Sequence, residues 1–237
     1  MTDEALETEP NPELLAAPSS DEQIYLARGA DVPTTRPRMT GDVLKGISPA
    51  GLSAEYVIVL THPCSMRSNG VDLAERIVVA GVEPHQYVGH NKWTGYGKVM
   101  PLPALVAGAH YAAYFEQIGV VSGDAVVASE RVACLSDEGT NLLQQRFIHN
   151  LTRFVVPTYR LHEACRSAFR EVDLLEEWLE AAAGAKADMG SSGHEFHEWI
   201  RETDGSSPSR QDRLKDPQQE GAIQRELRQL ARARFNL

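Results

Sequence analysis

The stretch YVIVLTHPCSMR, residues 56–67, decides how the fold is predicted. Its first five residues form a continuous apolar run, which is typical of a β-strand buried on both faces. The run ends abruptly in a hydroxyl, an imidazole, a thiol and a guanidinium, and Pro63 restricts His62 to an extended conformation. Because rigid strands often present reactive groups at their ends, Thr61 to Arg67 is the most site-like segment of the chain.

Further short strands are predicted around this run, within residues 36–135. They are apolar runs separated by turns that contain glycine, and they lie at residues 42–44, 76–82, 111–118 and 124–135. Since no long helix is expected between them, the sequence favours a small barrel or rolled sheet. Residues 84–103 form a long polar and aromatic connection, and loops of that length in a compact domain are often functional.

Helical periodicity replaces the strand pattern after residue 135. Apolar residues recur every three or four positions over residues 140–154 and again over 158–184, which predicts two α-helices. Residues 185–215 are rich in glycine and serine and are expected to form a flexible linker with one short helical turn. A terminal amphipathic helix is predicted over residues 216–237, and it could dock on the chain's own domain or bind a partner protein or an anionic surface.

The net charge of −10 is unevenly distributed along the chain. Residues 1–22 carry seven acidic residues and no basic one, which predicts a disordered acidic tail. That tail could keep the protein in solution, fold on a basic partner or occupy the protein's own site. Residues 23–184 are then the barrel domain with its C-terminal helices. Because nucleic-acid binding usually leaves a basic footprint, an acidic body counts against it.

The composition also restricts the compartment. Three cysteines at wide spacings do not form a disulfide framework, so a reducing cytoplasm fits best. No apolar stretch approaches the length of a membrane span, and the acidic N-terminus does not resemble a secretory signal. We therefore expect a soluble cytoplasmic protein without a membrane partner.

The candidate catalytic residues are Cys64, His62 and Arg67. Cys64 could act as a nucleophile if His62 or Arg67 lowers the pKa of its thiol. His62 and Cys64 are two positions apart on an extended segment, so the base is expected to come from elsewhere, with His85 or His90 as candidates. The alternative is that Cys64 is a small apolar residue that packs at the end of the strand.

The candidate substrate-binding residues are His85, Lys92, Trp93, Lys98 and Arg131. The aromatic and cationic residues of the 84–103 loop form a cluster of the kind that stacks nucleic-acid bases. The alternative is a loop anchored by a half-buried Trp93. His194 and His197 lack the spacing of a zinc motif and are expected to be solvated, so no metal and no cofactor are predicted.

Four segments together resemble the MazF/PemK family of toxin barrels. They are GDV at residues 41–43, YVIVLT at 56–61, IVVA at 77–80 and ASERVACL at 128–135. The resemblance covers roughly residues 38–180 and implies an SH3-like barrel, often dimeric, that acts as an endoribonuclease controlled by an antitoxin. The full prediction is a β-rich α+β fold: a small SH3-like barrel, two α-helices and a partly disordered tail with a terminal amphipathic helix.

This chain departs from the family pattern at both catalytic positions. Ala54 and Glu55 stand where the family has Arg-Pro, and no hydroxyl residue follows the next strand near Glu83 and Pro84. A ribonuclease site would have to be rebuilt around residues 61–67 and the 84–98 loop. The chain also resembles uncharacterised prokaryotic proteins that have a strand-end (S/T)-(H/Q)-x-C motif. In those proteins an aspartate follows the cysteine, whereas this chain has Ser65 at that position.

Three hypotheses about function follow. The chain could be an altered endoribonuclease of a prokaryotic toxin–antitoxin or phage-defence system, with RNA and a second copy of itself as partners. It could be a non-catalytic protein-interaction module that binds a partner through the 216–237 helix or the acidic tail. It could also be a cysteine-dependent hydrolase that uses Cys64.

Overall fold

A computed structural model describes residues 14–67, 72–203, 205 and 207–236. The strands are β1 Tyr25–Arg28, β2 Asp42–Lys45, β3 Tyr56–Val59, β4 Ile77–Pro84, β5 Val99–Val106, β6 Ala109–Val121 and β7 Glu130–Leu135. The α-helices are α1 Gly123–Ala128, α2 Asp137–Thr152, α3 Thr158–Gly184, α4 Met189–Arg201, α5 Arg210–Arg213 and α6 Glu220–Phe235. Short 3-10 turns include Glu22–Ile24, Gly29–Asp31, Pro63–Ser65, His90–Gly95 and Pro217–Gln219.

The seven strands form one antiparallel sheet in the order β1-β7-β2-β3-β4-β6-β5. The edge strands β1 and β5 contact each other through a side chain. Arg28 Nη1 of β1 donates hydrogen bonds to the carbonyls of Pro103 and Ala104 in β5, at 3.2 and 2.8 Å. The sheet is therefore a nearly closed barrel, which confirms the predicted α+β class and the barrel.

Strand β3 shows why the apolar run at 56–60 is continuous. It pairs with β2 on one side and β4 on the other, and all of its residues are buried. Tyr56 and Ile58 pack into the core that α2 covers, whereas Val57 and Val59 pack into a second apolar cluster with Met66. The prediction of a strand buried on both faces is confirmed.

The predicted strand over residues 124–135 is wrong in its first half. Residues 123–128 form α1, and only β7 is extended. The reason is local, because Ser122 Oγ accepts a hydrogen bond from the backbone N–H of Ala125, which caps a helix start. Within this short helix Val126 faces the core and Val127 is exposed.

The chain that follows the barrel builds a second, helical core. Helices α4 and α6 pack against the C-terminal half of α3, and the shared core includes Trp178, Phe196, Ile200, Ile223 and Leu227. Residues 189–201, which the sequence analysis assigned to a linker, are helical because Phe196 and Ile200 lie four positions apart and bury together. The apolar face of the terminal helix also lies in this core, so it docks on its own chain.

The beginning of the described chain is held against α2. Leu15 is buried, and the backbone N–H of Ala16 donates a 2.7 Å hydrogen bond to Gln145 Oε1. The acidic tail predicted for residues 1–22 therefore includes an ordered part from residue 14, while residues 1–13 lie outside the described residues. None of the helices in the described ranges is long and apolar enough to cross a membrane.

Candidate functional site

The segment Thr61 to Arg67 leaves β3 as a tight turn. Thr61 Oγ1 accepts a 2.7 Å hydrogen bond from the backbone N–H of Val78, which fixes the end of the strand against β4. The backbone carbonyl of Thr61 accepts a hydrogen bond from Thr40 Oγ1. Pro63–Ser65 then form a 3-10 turn, and His62 Nδ1 accepts the N–H of Cys64 at 3.3 Å. This turn delivers Cys64 and Arg67 to one wall of a pocket.

The pocket has a volume of about 330 Å³ and lies between the barrel and the helices. The strand-end turn contributes Pro63, Cys64 and Arg67 to its lining, and Met39 lies beside them. The opposite wall comes from α3, α4 and the α5 region, not from the 84–98 loop. Its polar side chains are Ser167, Glu171, His197, Arg201, Gln211, Asp212 and Lys215.

Glu171 is the central acid of this pocket. It lies 3.5 Å from Arg201 Nη2, accepts a 2.8 Å hydrogen bond from Gln211 Nε2 and stands 4.0 Å from His197 Nδ1. At the same edge, Lys215 Nζ pairs with Asp212 at 2.7 Å. The negative charges of Glu171 and Asp212 are therefore balanced by side chains that also line the pocket.

His197 is buried beside Glu171, and its Nδ1 lies 3.0 Å from Arg201 Nη1. The pKa of His197 is lowered to about 4, mainly by burial and in smaller part by the charges of Arg201, Arg67 and His194, while the charge of Asp72 opposes the shift. At neutral pH the imidazole is thus uncharged, and Nδ1 accepts a hydrogen bond from Arg201 Nη1. The expectation of solvated histidines holds for His194, which is exposed, and is not met for His197, because α4 is a packed helix.

Arg67 is the least satisfied cation of the pocket. Its Nη1 makes one long hydrogen bond, 3.4 Å, to the carbonyl of Arg38, and its Nε has no hydrogen-bond partner within the described ranges. Desolvation lowers the pKa of Arg67, and the more distant charges of Glu171 and Asp42 oppose that effect. A guanidinium remains charged at neutral pH even after such a shift.

His62 does not activate Cys64. Its Nε2 lies 3.2 Å from the sulfur of Cys165 on α3, while its Nδ1 is occupied by the backbone N–H of Cys64. Burial is the main reason that the pKa of the Cys64 thiol is raised, and Glu171 adds to it. Burial also raises the pKa of Cys165 to about 11. Both cysteines are therefore thiols rather than thiolates at neutral pH.

The bases suggested from the sequence lie elsewhere. His85 Nδ1 lies 2.7 Å from the carbonyl of Gln86, and its ring packs near Tyr96 and Tyr114 on the barrel. His90 Nδ1 lies 3.4 Å from Asp21. Neither histidine lines the pocket that contains Cys64.

The residues predicted to bind substrate do not form one surface. Trp93 is fully buried, its Nε1 donates to the carbonyl of Val88, and Arg146 stacks over its ring at 4.9 Å. Lys92 and Lys98 are exposed, and Lys98 lies 3.6 Å from Glu116. Trp93 thus anchors its loop, as the alternative prediction expects, but it is fully rather than half buried.

Arg131 has an interior role that the sequence does not reveal. Its side chain is buried, pairs with Asp42 at 3.1 Å and donates to the carbonyls of Pro33, Arg36 and Pro37. This guanidinium therefore ties the 33–37 segment to the barrel wall. It is not available to a ligand in the pocket.

Glu171, His197 and Arg201 are pocket residues that the sequence analysis did not identify. His197 and Arg201 are four positions apart on α4, which places both on one face of a helix. The sequence contains this spacing, but the glycine and serine content of residues 185–215 predicts a linker, in which the two side chains do not share a helix face. Glu171 gives no local signal, because its role depends on which elements α3 meets.

The described ranges contain no group of three or more histidine, cysteine or acidic side chains placed to hold a metal ion. The pocket instead offers hydrogen-bond donors and one poorly satisfied guanidinium, an arrangement that suits binding of an anionic group. A scan against protein-family models finds no match to this sequence, and no curated protein matches it either.

Proposed function

We propose that this protein is a non-catalytic interaction module that binds an acidic group of a partner protein in the pocket between the barrel and its helices. The observation that carries the proposal is Arg67, a half-buried guanidinium that lines the pocket with one long hydrogen bond. A carboxylate can engage such a fork through two parallel hydrogen bonds, which would repay the cost of desolvating the charge.

The charge balance of the pocket favours the binding of one anion. Arg201 pairs with Glu171 and Lys215 pairs with Asp212, so the net charge of these four side chains is close to zero. Among the described residues that line the pocket, Arg67 is the cation without an ion pair, and the neutral His197 adds no competing charge. A single carboxylate therefore complements the pocket, whereas a neutral ligand would leave Arg67 uncompensated.

A protein carboxylate fits this pocket better than RNA. The net charge of −10 repels a polyanion at long range, and RNA-binding proteins usually present a continuous basic surface. Trp93 and Arg131, two of the residues predicted to contact RNA, are buried in structural contacts. A volume of about 330 Å³ suits one side chain or a chain terminus, and capture of terminal carboxylates is a known recognition mode.

The geometry favours the other two hypotheses less. A cysteine-dependent hydrolase needs a base beside Cys64, and His62 turns its Nε2 to Cys165 instead. The MazF/PemK-like identity, the SH3-like description of the barrel, the homodimer and a role in toxin–antitoxin or phage-defence systems stay predictions from the resemblance.

The experiment compares peptide binding by the wild-type chain and by Arg67→Gln. An array of short peptides pairs each Asp, Glu or free C-terminus with its Asn, Gln or amidated counterpart. We expect the acidic members to bind and Arg67→Gln to weaken that binding about tenfold or more, since hydrogen bonds between charged groups contribute about 1.5–3 kcal/mol. Lys98→Gln is the matched control, because it removes an equal charge from an exposed barrel position.

Two results would contradict the proposal. One is equal binding of the acidic peptides and their neutral counterparts. The other is cleavage of RNA oligonucleotides that is lost in His62→Ala while folding is unchanged, which would favour the endoribonuclease instead.

A further inference from the structure

Two cysteines lie on the two sides of the boundary between the barrel and α3, and each contacts the element that carries the other. Cys64 lies on the turn after β3, and its sulfur is 4.0 Å from the carbonyl oxygen of Ala164, the residue before Cys165. The charge of a Cys64 thiolate is one of the causes that raise the pKa of Cys165, after burial. Cys64 is exposed at the pocket, whereas Cys165 is completely buried.

His62 contacts both cysteines. Its Nδ1 accepts the backbone N–H of Cys64, so in the neutral ring the proton is on Nε2 and points to the sulfur of Cys165 at 3.2 Å. The thiol of Cys165 in turn donates to Gln144 Oε1 at 3.6 Å. These contacts hold Cys165 beside the turn, and the Nε2–H of His62 would stabilise negative charge as it develops on that sulfur.

We infer that Cys64 and Cys165 form an intramolecular disulfide when the protein meets a peroxide, with Cys64 as the attacked thiol and Cys165 as the resolving thiol. Cys64 is the solvent-accessible cysteine of the two, and its sulfur lies beside the peptide group that joins Ala164 to Cys165. Cys134, buried in β7 with its sulfur 3.9 Å from the carbonyl of Ala27, takes no part.

The chemistry balances in two steps. The Cys64 thiolate attacks one oxygen of hydrogen peroxide, and the O–O bond breaks. Cys64 becomes a sulfenic acid, and the departing hydroxide takes up the proton that the Cys64 thiol released and leaves as water. Cys165 then attacks the sulfur of that sulfenic acid. An S–S bond forms, the S–O bond breaks, and the departing hydroxide takes the proton of Cys165 and leaves as water. The peroxide is reduced, and the two thiols are oxidised.

Both thiols have raised pKa values, so the reaction is expected to be slow near neutral pH and faster in mildly alkaline solution, where more thiolate is present. The bond would draw Cys64 from the pocket wall towards α3. A change in peptide binding on oxidation rests on the proposed function, but formation of the bond does not.

The experiment maps the cysteines after the full chain reacts with hydrogen peroxide. Non-reducing digestion and mass spectrometry should find a peptide pair joined through Cys64 and Cys165 and lighter by two hydrogen atoms. Cys134→Ser is the matched control and should keep the cross-link, whereas Cys64→Ser should lose it. Because Cys165→Ser removes a buried thiol and could impair folding, the decisive measurement is made on the wild-type chain.

Three results would overturn the inference. They are a folded chain in which Cys64 accumulates as sulfinic acid while Cys165 stays free, disulfides between two copies of the chain in place of the internal bond, and no oxidation of Cys64 under conditions that oxidise it in the unfolded protein. Each readout is independent of ligand binding, so a failed peptide experiment and a failed disulfide are distinguishable.

Discussion

His62 Nε2 and Cys165 Sγ lie 3.2 Å apart, although 103 positions separate the two residues in the sequence. The contact joins the turn after β3 to the first half of α3. Since Arg67 on that turn and Glu171 on α3 line the same pocket, the shape of the pocket depends on how the helices dock on the barrel. Thr61 to Arg67 is therefore one wall of a composite site.

Native thiol labelling should find one fast cysteine. Cys64 is exposed, while Cys134 and Cys165 are buried, so a reagent in excess should modify Cys64 first and the other two only on unfolding. The rate should increase with pH, because the pKa of Cys64 is raised. The fast phase should vanish in Cys64→Ser, and a fast phase that persists there would place the reactive thiol elsewhere.

His197 should make stability depend on pH in the acidic range. Its pKa falls from 6.5 to about 4 on folding, so between these values the unfolded chain holds a proton that the folded chain does not. The contribution of His197 to stability is present above pH 6.5 and is lost as the pH falls towards 4, by up to about 3 kcal/mol.

The check is to measure the free energy of unfolding by denaturant at several pH values for wild type and His197→Gln. Glutamine does not titrate, so the variant should lose less stability than wild type between pH 6.5 and 4. An identical decline in the two proteins would show that other groups cause it.

The terminal helix should behave as core. Leu227 is 1% exposed and packs in the helical core, so Leu227→Ala should cost about 2–5 kcal/mol of unfolding free energy. Leu230 on the same helix is 37% exposed, and Leu230→Ala should cost under about 1 kcal/mol. Denaturant titrations compare the two, and similar small losses would mean that the helix does not dock stably on its own chain.

Two helical glycines should respond in opposite directions to a methyl group. At Gly139 in the first turn of α2, an added Cβ would collide with the backbone carbonyl of Ile24, so Gly139→Ala should destabilise the fold by about 1–3 kcal/mol. Nothing lies within 4 Å of a Cβ at Gly193 in α4, and Gly193→Ala should stabilise it by about 0.5–1 kcal/mol. Thermal unfolding of both variants checks the sign.

The sequence by itself determined the elements with strong local patterns. The apolar run at 56–60 can only be satisfied by burial on both faces, and β3 is such a strand. The 158–184 stripe repeats every three to four residues, and α3 spans those residues. Proline after Asp216 also marks where the last helical segment begins. In each case the signal is contained within a few adjacent residues.

The tertiary structure alone decided the composition of the site. Which side chains face Arg67 depends on where α3 and α4 dock, and that follows from burial of Trp178, Phe196 and Leu227 in a core whose parts are far apart in sequence. The docking of the helices desolvates His197 and brings Cys165 to His62, and the separate core between the barrel and α2 buries Trp93. Periodicity reports which face of an element is apolar, but it carries no information about which other element covers that face.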